Sequence, residues 1–326
     1  MTQIDHRTII ALSSVKGVGP KKLMALVEHI QNNGINIECW EDLHEFLSEY
    51  APTSVKVSEE IAQDAFMKAR KIIYESERLG IGVLTYYDDD YPESLRHTTT
   101  EDGKLDPPLI LYYKGNLDAL QKPGIAIIGT RNPTVEALVS GQDLSASIAS
   151  LGYNIVSGLA IGCDSLAHEG ALHARGTTTA FLAHGLDTVY PVENTRLAML
   201  IEKNGGILLS EYPVGTKCNA YRLVARDRLQ AGLAKATVVI QTGVKGGTMH
   251  AVNSTLAAGK PLLAMRFEDH VMNHTSAAGN AFLINKGAHP LYKNTDLKAL
   301  FDKIAPISSD TKDVCPMVNE QLSLFD

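Results

Sequence analysis

Residues 125–168 run IAIIGTRNPTVEALVSGQDLSASIASLGYNIVSGLAIGCDSLAH. The apolar runs Ile125 to Ile128 and Asn154 to Val156 are typical of buried strands, and the amphipathic segment Thr134 to Leu151 between them predicts a helix. Two strands joined through a helix are expected to be parallel, because the helix returns the chain to the edge of the sheet where the first strand began. This stretch therefore predicts one strand-helix-strand unit of a parallel sheet.

The same alternation continues along the chain. Further strands are predicted at Thr179 to Ala183, Ile207 to Leu209, Val238 to Gln241 and Leu262 to Met265. Further helices are predicted at Cys163 to Ala174, Glu193 to Asn204, Asn219 to Ala234 and Gly247 to Ala258. Strands this apolar must be covered on both faces, so we expect an α/β fold with a Rossmann-like, doubly wound, mostly parallel sheet.

Three parts of the chain are expected. Residues 1–78 predict a small helical domain, residues 79–304 the Rossmann-like domain, and residues 305–326 a polar, flexible tail. In the helical part, the run Val15 to Leu23 resembles a helix-hairpin-helix (SAM-like) motif, in which glycines let backbone N–H groups meet a DNA phosphate. The residues that carry this prediction are Gly17, Gly19, Lys21 and Lys22. A Gly-x-Gly-Pro turn also serves as a plain helix joint, and that alternative stays open.

Composition indicates a globular protein of the cytoplasm. The chain has 326 residues, of which 44% are hydrophobic, with neither a membrane-span-like run nor a signal-peptide-like start. We expect no membrane association. The four cysteines are too far apart to indicate a disulfide framework or a zinc site: Cys39, Cys163, Cys218 and Cys315. No metal site is predicted.

The net charge of -7 disfavours binding nucleic acid with the whole surface. One segment departs from this average, because between Gly215 and Lys245 only Asp227 is acidic. The basic residues of the segment are Lys217, Arg222, Arg226, Arg228, Lys235 and Lys245. Such a segment is either a solvated helix face or the contact surface for an anionic partner, and we favour the second interpretation.

Three loops of small residues connect a predicted strand to a predicted helix. The first loop is residues 128–133, the second is residues 156–164, and the third is residues 242–248. Helix N-termini present free N–H groups to anions, so all three loops suit phosphate. The loops lack a Walker A sequence and a dinucleotide fingerprint, so we expect no cofactor. Asp164 and His168, four residues apart, suit an acid/base pair, but we favour a capping aspartate beside a histidine with satisfied hydrogen bonds, so catalysis is not indicated.

Taken in order, the motifs resemble the DNA-processing protein A (DprA, also Smf) family. They are Tyr91-Pro92-x-x-Leu95, Pro107-Pro108-Leu109-x-Leu111-Tyr112, Ile128-Gly129-Thr130-Arg131, Ser157-Gly158-Leu159-Ala160-x-Gly162-x-Asp164-x-x-Ala167-His168, Gly185-Leu186-Asp187-x-x-Tyr190-Pro191 and Ser210-Glu211-Tyr212-Pro213-x-Gly215. The resemblance implies a homodimeric protein that binds single-stranded DNA without cleaving it. It also implies loading of the strand-exchange protein RecA during recombination or during DNA uptake in natural transformation.

The resemblance, together with the loops, gives a set of candidate DNA- and phosphate-binding residues. They are Gly129, Thr130, Arg131, Ser157, Gly158, Gly162, Lys217, Arg222, Arg226, Arg228, Lys245, Gly246, Gly247 and Thr248. We expect Arg222 and Arg226, four apart on one helix, to clamp successive phosphates or stack on bases, and Arg228 to project elsewhere. The loops and the arginine-bearing helix should converge into one cationic trough.

The chain also departs from the family pattern. The family's Phe-Pro-x-Arg-Asn-Arg run is Leu223 to Arg228 here, so a stacking aromatic is lost and Asp227 appears; Tyr221 is a candidate replacement for the aromatic. We expect the family's C-terminal winged helix to be absent.

Two alternative functions stay open: a DprA-like antitoxin or sensor beside a toxin in a phage-defence cassette, and a nucleotide-processing enzyme of related fold. For the enzyme, the catalytic glutamate of a Gly-Gly-x-Gly-Thr-x-x-Glu signature would fall at Ala251.

The last six residues predict a docking motif. Gln321 to Phe325 resembles the peptide by which bacterial replication and repair proteins attach to the sliding clamp of DNA polymerase. Gln321, Leu322, Leu324 and Phe325 would contact the clamp. Alternatively, these apolar side chains pack on the chain's own core.

Overall fold

The structure, a computed structural model, describes residues 4–272 and 275–306. Two compact units are present. The first unit runs to Tyr91 and also takes in Pro108–Tyr112, and the second contains Pro92–Pro107 and resumes at Tyr113. The predicted clamp-binding residues Gln321, Leu322, Leu324 and Phe325 lie outside the described residues.

The first unit is mainly helical. Its helices are α1 (His6–Ser14), α2 (Pro20–Asn33), α3 (Trp40–Tyr50) and α4 (Glu59–Arg78), followed by strand β1 (Gly82–Thr85). Side chains cap two of these helices, since Asp5 accepts from the Arg7 N–H and Ser58 from the Ile61 N–H. The region that was predicted to be helical thus contains the helices α1 to α4.

The turn between α1 and α2 adopts the geometry that its glycines predict. Gly17 has φ +94°, which favours glycine, and Pro20 begins α2. The Lys22 ammonium donates to the Gly17 carbonyl at 2.8 Å and to Ser54 Oγ at 2.9 Å, so it closes the turn. Lys21 is exposed. Phosphate binding by this turn stays a prediction.

The second unit contains the parallel sheet. Strand β2 (Ile110–Gly115) enters it from the first unit, and helix α5 (Glu93–Arg96) precedes β2. The remaining strands are β3 (Gly124–Ile128), β4 (Asn154–Ser157), β5 (Thr177–Leu182), β6 (Ile207–Ser210), β7 (Ala234–Val239), β8 (Leu262–Met265) and β9 (His289–Leu291). The helices are α6 (Val135–Ser150), α7 (Cys163–His173), α8 (Thr195–Lys203), α9 (Ala220–Leu233), α10 (Thr248–Ala257), α11 (Asp269–Met272), α12 (Ala278–Asn285) and α13 (Leu297–Ile304).

The order of the strands in the sheet determines where the three predicted loops lie. Strands β3 to β9 follow the order β6-β5-β4-β3-β7-β8-β9, and each pairing among them is parallel. The chain runs outward from β3 in one direction through β4, β5 and β6, then crosses to β7 and continues in the other direction. The order therefore reverses between β3 and β7, where a crevice opens outside the carboxyl ends of the strands.

Apolar layers cover both faces of the sheet. Ile127 packs with residues of α6, α7 and α13, whereas its neighbour Ile128 packs with residues of α10 and α12. Successive strand side chains point to opposite faces, so a continuous apolar run fills both layers. The predicted Rossmann-like, doubly wound, mostly parallel fold is confirmed.

The elements that the sequence predicted differ from the observed ones mainly at their ends. Strand β7 begins at Ala234, directly after α9, and Ala234 pairs with Gly124, whereas the sequence predicted a start at Val238. The first residues of β7 are small or charged, so the sequence pattern gives no strand signal there. Pairing with β3 stabilises this part of the strand. In the described ranges, none of the helices is both long and apolar enough to cross a membrane.

Candidate functional site

The first and third loops are joined at the reversal point of the sheet. The Thr130 N–H donates to the Gln241 carbonyl at 2.7 Å, and the Thr134 N–H donates to Gln241 Oε1 at 2.8 Å. Gln241 is fully buried at the end of β7. One glutamine therefore fixes both ends of the first loop and the base of the third.

The second loop packs under the first. The Cys163 N–H donates to the Thr130 carbonyl at 3.1 Å. Gly162, with φ +83°, lies so close that a Cβ there would be 2.5 Å from the Thr130 carbonyl oxygen. Leu159 also has a positive φ, of 60°, which is a strained conformation for a leucine. The backbone of this loop is therefore held in a conformation that the surrounding contacts impose.

A cavity of about 530 Å³ opens over the reversal point, and we call it the loop cavity. Its wall comes from all three loops, α9 and α10. It is lined by Ile128, Gly129, Thr130, Arg131, Ala160, Asp164, Ala220, Leu223, Val224, Arg226, Asp227, Gln230, Thr242, Gly243, Lys245, Gly246, Gly247, Thr248 and Ala251. The structure thus brings together eight of the predicted site residues: Gly129, Thr130, Arg131, Arg226, Lys245, Gly246, Gly247 and Thr248. Arg131 and Lys245 are exposed cations of this wall.

A second cavity, of about 380 Å³, adjoins the first, and we call it the tyrosine cavity. The two cavities share Arg131 and Arg226 among their lining residues. Gly158 lines the tyrosine cavity, as does Tyr190, which is 48% exposed. An exposed aromatic ring beside a cation is the combination on which a nucleic-acid base stacks. The two cavities form one crevice at the carboxyl edge of the sheet.

Arg226 is a buried part of the cavity wall. It is 4% exposed, and its Nη1 donates to the Phe181 carbonyl at 2.6 Å. Gly158 makes room for the guanidinium, since a Cβ on Gly158 would lie 1.8 Å from Nη1. Its Nε lies 3.2 Å from Asp227 Oδ1. This arginine is anchored to the end of β5 and gives the cavity a fixed positive charge.

Arg222 does not line the loop cavity beside Arg226. Its guanidinium stacks 5.1 Å from the centroid of the Tyr212 ring and donates to the Lys217 carbonyl at 2.6 Å. The two arginines expected to act together therefore differ in surroundings, since Arg226 is buried in the cavity wall and Arg222 is stacked on Tyr212, and their contact with DNA stays a prediction. Lys217 is exposed but lines neither cavity.

Arg228 projects away from the crevice. Its Nη1 and Nη2 donate to the two carboxylate oxygens of Glu211 at 2.8 and 2.7 Å, and its Nε donates to Asp106 Oδ2 at 2.6 Å. A guanidinium with two carboxylate partners is a structural ion pair, not a free phosphate ligand. Its inclusion among the phosphate-binding candidates is corrected accordingly.

Ser157 and Gly162 shape the loops and do not line the crevice. Ser157 is buried and its hydroxyl donates to the Ile127 carbonyl at 2.6 Å, which ties β4 to β3. Neither residue lines the two cavities. They shape the loops, whereas the side chains that can meet a ligand come from other positions.

Two carboxyl groups in the loop cavity have raised pKa values. Burial raises the pKa of Asp227 to about 6, against the opposing effect of Arg226. Burial likewise raises the pKa of Asp164, and Arg226 again opposes the rise. Asp164 accepts a hydrogen bond from the Ala160 N–H at 3.3 Å. The crevice therefore contains both basic side chains and carboxyl groups, and the carboxyl groups cancel only part of the positive charge.

His168 is separate from Asp164. Its ring is fully buried and shares a 2.6 Å hydrogen bond with Thr178 Oγ1. Burial lowers its pKa to about 3, and Arg226 adds to this effect, so the ring is neutral. The histidine contacts the core strand β5, and of the two interpretations of this pair the structure favours the buried histidine over the acid/base pair.

Sequence reasoning missed several residues that build the crevice. Gln241, Gln230 and Tyr190 were not among the candidates. Asn280 was also missed: its amide accepts from the Thr242 N–H at 2.8 Å and donates to the Ile240 carbonyl at 2.7 Å, which fixes the third loop. Tyr190 belongs to the motif Gly185-Leu186-Asp187-x-x-Tyr190-Pro191. That motif was the sequence signal that could have identified it as a site residue.

Among the described side chains, no group of three or more His, Cys, Asp or Glu could hold a metal ion.

The fold and the crevice define a class: a Rossmann-like protein with a crevice at the reversal point of its sheet, lined in part by Arg131, Arg226 and Lys245. Residues 82–302 match the model of the family described as DNA recombination-mediator protein A. The chain belongs to this family. It is also 32% identical over 304 residues to Protein Smf from Synechocystis sp., an alignment that covers 92% of this chain and 73% of that protein.

Two solved structures are similar to this one. DNA processing protein A from Streptococcus pneumoniae has a TM-score of 0.71 and 25% identity, with 91% of this chain and 98% of that chain covered. DNA processing protein A from Helicobacter pylori has a TM-score of 0.59 and 29% identity, with 69% of this chain and 97% of that chain covered. The Helicobacter pylori protein binds single-stranded DNA. The resemblance recognised in the sequence is confirmed.

Proposed function

We propose that this protein binds single-stranded DNA in the crevice formed by the loop cavity and the tyrosine cavity, and that it does so in DNA processing and recombination. The observation that carries the proposal is the convergence of Arg131, Lys245 and the buried Arg226 on one crevice over the reversal point of the sheet. Binding of single-stranded DNA by the Helicobacter pylori relative supports the same function here.

The chemistry of the crevice suits a sugar-phosphate chain. Arg131 and Lys245 are exposed and free to approach phosphates, and Gly246 and Gly247 allow a close approach to the N-terminus of α10. A phosphate there would gain the helix dipole and the ammonium group together. Tyr190, half exposed in the adjoining cavity, offers a ring on which a base can stack.

Binding without chemistry is part of the proposal. Ala251 lines the loop cavity, so a methyl group stands where an enzyme of related fold would need a glutamate. Without that carboxylate, a step that requires acid/base catalysis has no agent at this position. Incubation with nucleoside monophosphates should release no base, and release of base would contradict this part of the proposal.

The test is fluorescence anisotropy with labelled oligothymidine and with duplex DNA over a range of salt. Two neutralised phosphates predict a slope of log affinity against log salt of about -1.4 for single strands, and each alanine substitution at Arg131 or Lys245 should remove about 0.7 of it. Each should also weaken binding about tenfold. The matched control is Lys203→Ala, an exposed lysine in the last turn of α8. Tighter binding to duplex, or equal losses in the control, would refute the proposal.

We further propose that the DNA-bound protein, as a homodimer, delivers the strand to RecA. The family's description as a recombination mediator supports this step. The measurement is RecA filament assembly on DNA coated with single-strand-binding protein, with and without this protein. No acceleration would refute the mediator role, and a monomeric mass in light scattering would refute the dimer.

Docking of Gln321 to Phe325 on the polymerase sliding clamp stays a prediction from the sequence. Deletion of the last six residues should abolish capture of the purified clamp and leave oligothymidine affinity unchanged. Unchanged capture would contradict the docking role without affecting the proposed DNA site.

A further inference from the structure

Two acidic side chains, Asp164 and Asp227, line the loop cavity beside the basic side chains Arg131, Arg226 and Lys245. Asp227 lines the loop cavity with a side chain that is 14% exposed, close to the buried Arg226. A phosphate gains nothing from this carboxylate, because like charges repel. The position therefore suits a neutral part of a nucleotide that donates hydrogen bonds.

The carboxylate is positioned by neighbours on α9. Gln230 Nε2 donates to Asp227 Oδ1 at 3.1 Å, and Arg226 Nε lies 3.2 Å from the same oxygen. Among the described residues, Oδ1 accepts one hydrogen bond, from Gln230, and Oδ2 accepts none, so each carboxylate oxygen keeps a lone pair for a ligand. Gln230 is 2% exposed, and its Oε1 has no hydrogen-bond partner among the described residues. The carboxylate of Asp227 therefore retains an acceptor position on each oxygen that a donating ligand would satisfy.

The edges of the four bases differ in what they offer to a carboxylate. Guanine presents two adjacent donors, N1–H and the N2 amine, and a carboxylate accepts two parallel hydrogen bonds well. Adenine and cytosine present one amine beside a ring-nitrogen acceptor, and thymine presents one N–H between two carbonyls. Guanine is therefore the base that matches the acceptors of Asp227 best.

We propose that the loop cavity selects guanine in single-stranded DNA, with Asp227 as the specificity-determining residue and Gln230 as its positioning residue. This inference rests on the proposed function, because Arg131 and Lys245 would hold the neighbouring phosphates. The cavity, at about 530 Å³, falls in the range of sites that enclose a small ligand.

The experiment compares dodecamers in which thymidine alternates with guanosine, inosine, adenosine or cytidine, measured by anisotropy in lithium salt to prevent guanine quadruplexes. The guanosine dodecamer should bind about tenfold tighter than the adenosine and cytidine ones. The inosine dodecamer, which lacks the N2 amine, should fall between. Equal affinities of the unmodified protein for guanosine and adenosine dodecamers would overturn the proposal without any variant.

Two variants test whether Asp227 causes the preference for guanine. Asp227→Asn should remove the guanine preference and leave the adenosine dodecamer bound at least as tightly as before. Asp143→Asn, at an exposed position on α6, is the matched control and should keep the preference. A preference that survives Asp227→Asn in folded protein, judged by circular dichroism, would overturn the assignment. If no dodecamer binds, the proposed function itself is overturned, which distinguishes the two failures.

Discussion

Replacement of Asp227 by asparagine should stabilise the protein at neutral pH. Burial raises the pKa of this carboxyl from the ordinary 3.8 to about 6, although Arg226 and His250 pull it down, and the nearby Asp164 adds to the rise. A pKa raised this far corresponds to about 3 kcal/mol of unfavourable free energy for the ionised form in the folded state. Asparagine has the same shape without the charge.

The direction of the pH dependence of stability follows from proton binding at Asp227. Between pH 3.8 and about 6 the folded protein binds more protons at Asp227 than the unfolded chain, so this group makes the protein less stable as the pH rises through that window. The penalty is complete above about pH 6 and absent below the unfolded value. Asp227→Asn should therefore raise the free energy of unfolding by about 1 to 3 kcal/mol at pH 7.5, and the gain should shrink towards zero near pH 4.

Urea denaturation followed by circular dichroism measures this difference at both pH values, with Asp143→Asn as the control of an exposed carboxylate. The competing effect is the attraction of Arg226, whose Nε lies 3.2 Å from Asp227 Oδ1. If Asp227→Asn lowers the free energy of unfolding at pH 7.5 by more than about 1 kcal/mol, the ion pair outweighs desolvation and the reasoning is refuted.

Three further predictions concern single side chains. Gly158→Ala should displace the Arg226 guanidinium, whose Nη1 would lie 1.8 Å from the new Cβ, and should weaken oligothymidine binding at least tenfold; an unchanged affinity would contradict the role of the buried arginine. Arg228→Met should lower the free energy of unfolding by about 3 kcal/mol, because two carboxylates lose their partner, with oligothymidine affinity of the folded fraction preserved. His6→Gln should destabilise the protein at pH 5.5 and much less at pH 8.5. The hydrogen bond to Asp88 raises the pKa of His6, so its contribution is complete below 6.5 and is lost as the pH rises through the raised value; equal losses at both pH values would refute it.

The regular elements of the second unit were predictable because their signals are local. Helix α6 was expected over Thr134 to Leu151 and forms over Val135–Ser150, since its apolar spacing and its Thr134 cap both lie within the segment. Strand β9, His289–Leu291, was not predicted. Three residues that include a proline carry no periodicity, and the strand forms because β8 offers it hydrogen bonds at the edge of the sheet.

The candidate site was predictable in its loops and less so in its side chains. Gly129, Thr130 and Arg131 were found because small residues after a buried strand indicate an anion site, and the cavity contains all three. Sequence spacing placed Arg222 and Arg226 on one helix face, but it could not say that one is buried against Gly158 while the other stacks on Tyr212. Such partners come from distant segments that only the folded chain brings together.

The sequence by itself determined the family, the alternation of strands and helices and the three loops, because periodicity and short motifs are properties of neighbouring residues. The tertiary structure decided that two of those loops flank the reversal point of the sheet, that Arg228 is held by Glu211 and Asp106, and that Asp227 stands within a cavity. These outcomes depend on strand order and burial, which set the distances between charged groups. Such distances are fixed only when the sheet assembles, because the groups come from segments far apart in the sequence.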